Sequence, residues 1–85
     1  MTRYKVVWSA DAEDELASIW IRAFDRRAVT AAQAAIDGEL ALSPTTKGTE
    51  VSEGLRKLMI SPLLAFFEVD EPARLVKVTA IAGGP

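Results

Sequence analysis

A chain of 85 residues, 49% of them apolar, can form one small domain with its own core. Its formal net charge of −2 is the wrong sign for a strongly phosphate-binding domain. The absence of Cys and His excludes disulfides, a structural zinc site and any Ser–His or Cys–His nucleophile pair.

The N-terminus, Met1-Thr2-Arg3-Tyr4-Lys5, lacks the apolar stretch of a signal peptide. No run of about 18 apolar residues follows, so no membrane span is expected and the cytoplasm is the expected location. Tyr4 to Trp8 reads as a short, largely buried strand. Ser9 is a candidate helix N-cap. Asp11, Glu13, Asp14 and Glu15 follow in or near the first turn, where carboxylates favour the positive end of the helix dipole. Asp11 and Glu15 share a face at i and i+4. Without His, dipole stabilisation explains them better than metal binding, and no metal or other cofactor is implied.

Ala12, Leu16, Ile19, Trp20, Ala23 and Phe24 repeat at helical spacing and predict a helix over 10–24. Asp25-Arg26-Arg27 reads as a polar link. A second helix is predicted over 28–42, with Val29, Ala32, Ile36 and Leu40 as its apolar stripe. The two form a helical hairpin. The segment from Ser43 to Gly48 is a loop, and strands are predicted over 54–60, 63–69 and 74–81. Ser61-Pro62 and Asp70-Glu71-Pro72-Ala73 are the turns between them. The fold class is therefore α+β in the order β-α-α-β-β-β, a single domain over 1–85, with the helical hairpin on one face of a mainly antiparallel sheet. Leu16, Ile19, Trp20, Ile36, Leu40, Leu58, Phe67 and Val78 should be mostly buried.

Several stretches together carry a resemblance to a known family. Val7-Trp8-Ser9-Ala10-Asp11-Ala12-Glu13-Asp14-Glu15-Leu16-Ala17-Ser18-Ile19, then Leu42-Ser43-Pro44 followed by Gly48, then Gly54-Leu55-Arg56-Lys57-Leu58, and lastly Phe66-Phe67-Glu68-Val69-Asp70 resemble the RelE/ParE toxin–antitoxin superfamily over nearly the whole chain. The resemblance implies a toxin-like component of a type II toxin–antitoxin module, neutralised by a protein antitoxin. The family's ribonucleases cleave messenger RNA on the ribosome without a metal. They use Arg and Lys at the phosphate, often with a C-terminal Tyr or His. Here the strand position that commonly carries Arg falls on Leu64 or Ala65, and the last strand runs into Ala82-Gly83-Gly84-Pro85. Neither charge stabilisation nor proton transfer then has a candidate group. The resemblance thus points nearer to a ParE-like, gyrase-binding member or an inactive one. The alternatives are a ribosome-dependent endoribonuclease with an incomplete site and a non-toxic interaction domain.

Arg56, Lys57, Lys77 and Lys47 are the candidate contacts to nucleic acid or to a target. The competing reading is a solvated sheet whose lysines discourage edge pairing. Leu63, Phe66 and Phe67 are the candidate partner interface. Phe66 and Phe67 are adjacent on a strand and must face opposite ways. One belongs to the core; the other is free for an antitoxin segment or a second copy in a homodimer.

Overall fold

The computed structural model describes residues 3–83. Met1, Thr2, Gly84 and Pro85, which enter the reading of the two ends, lie outside the described residues. The opening Val and Trp residues form β1 (Lys5–Trp8), and Ser9 then serves two elements at once. Its backbone N–H donates to the Val78 carbonyl at 2.9 Å and its hydroxyl to the Thr79 carbonyl at 3.2 Å. The same hydroxyl oxygen accepts the Ala12 N–H at 3.0 Å, which caps α1 (Ala10–Arg22).

α1 stops two residues short of Phe24. Ala23 is already extended at φ −68°, ψ 139°, and Asp25 caps the next helix by accepting the Ala28 N–H at 3.1 Å. The link is therefore Ala23 to Asp25, and α2 begins two residues earlier than expected (Arg26–Leu42). Arg26 folds back over the end of α1. It donates to the Trp20 and Ile21 carbonyls at 3.0 and 2.9 Å, and its guanidinium sits 4.8 Å from the centroid of the Trp20 ring. Trp20 is nevertheless 43% exposed, against the expectation that it is buried. The core-facing stripe of α1 is Ala12, Leu16 and Ile19, and Ala23 continues it just past the helix end. Trp20 lies one residue beyond Ile19, about 100° round the helix.

The remaining strands are β2 (Thr49–Ser52), β3 (Leu55–Ile60), β4 (Leu63–Asp70) and β5 (Leu75–Gly83). The short edge strand β2 has no hydrophobic alternation, so the sequence pattern predicts only three strands after the loop. Gly48 leads into it at φ 68°, and a Cβ there would come within 1.9 Å of the Lys57 carbonyl oxygen, so only glycine fits. The sheet runs β1-β5-β4-β3-β2. All neighbours are antiparallel except β1 and β5.

α1 and α2 cover one face. Ile36 and Leu40 of α2 are fully buried against Leu63, Ala65 and Phe67 of β4 and Val76 and Val78 of β5. Leu16, Ile19 and Leu58 are half-buried at the margin of this core. Strict alternation along the last strand would have put Ala80 with Val76 and Val78. A bulge at Thr79 intervenes: Phe66 pairs with Ala80 while Phe67 pairs with Val78. Beyond the bulge Ile81 rather than Ala80 joins the core, 4% exposed.

Candidate functional site: the open sheet face

Because side chains alternate along a strand, the pairing registers decide what lies on the side away from the helices. Phe67 is fully buried in the core, so Phe66 is the outward ring. It sits opposite Lys57 of β3 on one side and Ala80 of β5 on the other. Leu64, opposite Met59, continues the apolar strip, and Met59 is 45% exposed. Glu68, opposite Lys77, continues it in the polar direction. Lys5 and Val7 of β1 complete the face through their registers with Leu75 and Lys77.

The four candidate cations do not stay together. Lys57 and Lys77 share the open face on the two strands flanking β4, about 10–12 Å apart from strand spacing and rise. Arg56 points to the helix side, where its Nε donates to the Lys47 carbonyl at 3.1 Å and its Nη2 to the Gly48 carbonyl at 3.3 Å. It secures the loop before β2. Lys47 lies in that loop and pairs with Glu39 of α2 at 2.7 Å. Leu63 is likewise unavailable to a partner: it is two and four residues from Ala65 and Phe67 and is buried with them. The surviving surface is Phe66 with Leu64 and Met59, flanked by lysines. Leu64, Met59 and Lys5 are absent from the candidates drawn from the sequence, although period-two counting from Phe66 reaches the first, and Met59 follows from the pairing across the Ser61-Pro62 turn.

The face is weakly basic. Lys5, Lys57 and Lys77 stand against Glu68 and Asp70, three positive charges against two negative. The acidic cluster of α1 has a structural task instead. Glu15 accepts the Ile81 backbone N–H at 2.8 Å, past the point where β1 has stopped pairing with β5. This carboxylate occupies the ladder position that a longer β1 would fill.

Tyr4, the sole tyrosine, is not on the open face. Its hydroxyl donates to Glu71 Oε1, and its ring lies 5.5 Å from the Arg74 guanidinium. The hydrogen bond to Glu71 raises the phenol above its ordinary value, with desolvation and the Glu71 charge adding to this and Arg74 opposing it. A raised phenol is a poorer source of phenolate at neutral pH. Arg74 closes the β4–β5 turn at φ 53°, where the Ala73 N–H donates to Asp70 Oδ1 at 3.2 Å.

No protein-family model and no curated protein matches the sequence. Solved structures do match the fold. A chain of the RelBE2 toxin–antitoxin complex from Mycobacterium tuberculosis superposes with a TM-score of 0.81 at 16% identity, over 98% of this chain and 93% of that one. A chain of the chromosomal ParDE system from P. aeruginosa gives 0.72 at 15% identity, over 96% and 97%. The isolated E. coli RelE toxin gives 0.68 at 12% identity, over 96% and 85%. Identities this low carry the fold and not the residues of any site.

Proposed function

We propose that the chain, whose fold matches those of solved RelBE2, ParDE and RelE chains, is the toxin-like component of a type II toxin–antitoxin module. In this reading a protein antitoxin neutralises it, and it acts by binding rather than by cutting RNA. That puts it nearer to a ParE-like, gyrase-binding member or an inactive one. The observation that carries the reading is the open face itself. Its centre is a phenylalanine, its cations are lysines that acids nearly balance, and Tyr4, Arg56 and Arg74 are engaged elsewhere. Such a surface suits docking through apolar contact with lysine-assisted steering. It presents no histidine for general-base work.

A second reading has one observation in its favour. Lys57 and Lys77 flank Phe66, an arrangement that could hold an RNA backbone while a base stacks on the ring. Induced expression of the chain without an antitoxin separates the two. The expected outcome is growth arrest with gyrase-linked DNA breaks, or no arrest for an inactive member, and no new 5′ ends by primer extension on ribosome-bound transcripts. Discrete cuts within codons would replace the binding reading with the ribonuclease one.

A further inference from the structure

The other side of the molecule carries a surface that the open sheet face does not explain. Between α1 and α2, reaching Trp8 of β1, runs a groove of about 550 Å³. Trp8, Leu16, Ala17, Trp20 and Ile21 supply its apolar lining. Trp20 and Ile21 are 43% and 62% exposed. This exposure is not an accident of a frayed helix, because Arg26 holds the end of α1 by two hydrogen bonds and stacks on the Trp20 ring.

The groove is charged in opposite senses at its two ends. Glu13 and Asp37 stand at one, with Asp37 accepting the Trp8 indole N–H at 2.7 Å. Just beyond the other end, in the first turn of α2, come Arg26, stacked on the Trp20 ring, and Arg27, one turn before the lining residue Thr30. The helices are antiparallel neighbours, and the rise from Arg26 to Asp37 sets the ends about 16 Å apart. Two acids and two bases on one strip make the groove its own electrostatic complement. An isologous interface requires such self-complementarity, since each residue must meet its counterpart's partner twice.

We propose that two copies of this chain associate through this groove, with the helical hairpins antiparallel about a two-fold axis near Ala17 and Thr30. In that arrangement Glu13 and Asp37 of each copy meet Arg26 and Arg27 of the other. Trp20 and Ile21 of each copy are carried over Leu16 and Ala17 of its mate. A parallel arrangement would oppose like charges and is disfavoured. The small net charge of −2 adds little overall repulsion. The dimer is independent of whatever the open sheet face binds.

Sedimentation of the full chain from about 1 μM to about 1 mM tests this, with the expected dimer weakening as salt rises. Glu13→Arg and Arg27→Glu should each weaken self-association about tenfold or more, since each reversal spoils two symmetric contacts. Mixing the two variants is the decisive arm. In a mixed dimer the arginine introduced into one copy faces the glutamate introduced into the other. At the symmetric contact the native Arg27 of the first copy faces the native Glu13 of the second. Both contacts then join opposite charges, so the mixed dimer should form with wild-type affinity. Circular dichroism keeps misfolding out of the comparison, and Ile21→Lys, at an exposed position in the apolar strip, gives a second route to a folded monomer. A monomer throughout the concentration range overturns the proposal. So does a dimer that survives both reversals, which would place the contact on another face, or a mixture that does not recover.

Discussion

The two faces of this sheet are built from one strand and have opposite fates. β4 sends Leu63, Ala65 and Phe67 into the helices, where each is fully buried. It sends Leu64, Phe66 and Glu68 to the other side, where no element of the described chain covers them. The two phenylalanines are neighbours on one strand and point to opposite sides, so the difference comes from the layer above. Two helices supply one face with a full set of apolar partners; the other face has only the sheet's own residues. The apolar run 63–67 thus combines a core requirement on one side with a docking capacity on the other, and substitutions should separate them.

The largest effect is expected at Phe67. Phe67→Ala removes a fully buried ring from the centre of the core and should cost about 3–5 kcal/mol. For a chain this small that approaches the whole stability, and urea unfolding with a midpoint close to that of wild type would show that the helix layer does not govern the face.

Glu15 comes next, as a test of how the buried face is closed at its margin. Glu15→Ala leaves the Ile81 N–H without its acceptor, a loss expected at about 1–3 kcal/mol and discounted toward the lower value where water reaches the site. Amide hydrogen exchange at Ile81 reads it directly: protection should fall there well before it falls in β4. Unchanged protection at that amide would mean that the carboxylate does not hold the ladder.

Phe66→Ser should do least to the fold. The ring is half-buried, so the loss is about 1 kcal/mol, with a melting temperature lowered by only a few degrees. Its effect should appear in binding: on the proposed toxin-like reading, calorimetry with a neutralising antitoxin should show affinity lowered at least about tenfold. Equal unfolding by the Phe66 and Phe67 substitutions would erase the distinction between the faces.

Much of the core was legible in the sequence, and the reasons are local. The stripe of Val29, Ala32, Ile36 and Leu40 follows a 3.6-residue period, and all four are buried. The need for one inward and one outward phenylalanine follows from period two alone; which one faces in required the helix layer. The bulge at Thr79 was hidden because what holds it is distant in sequence, namely Ser9 and the Phe66 carbonyl. The same distance hid the task of Glu15, which looks like any first-turn carboxylate until Ile81 is brought beside it. Trp20 misled because its apolar character suggested burial while its angle on α1 placed it outside. The basic residues looked alike along the chain, yet Arg56 and Lys47 are spent on holding a loop and Lys57 and Lys77 are not.

The position of β5 in the sheet has a temporal consequence. This strand lies between β1 and β4, and it is the last strand in chain order. The first strand therefore has no hydrogen-bonded neighbour until residues some seventy positions later arrive beside it, Lys5 against Leu75 and Trp8 against Val78. During synthesis the helical hairpin and β2 to β4 can form local contacts, but α1 has no strand to pack upon and the Ser9 cap has no carbonyls to hold. A nascent chain that ends before Val76 lacks the centre of its sheet, with β1 tied to the rest only through α2, and any activity borne by the finished sheet is withheld until β5 enters between its neighbours.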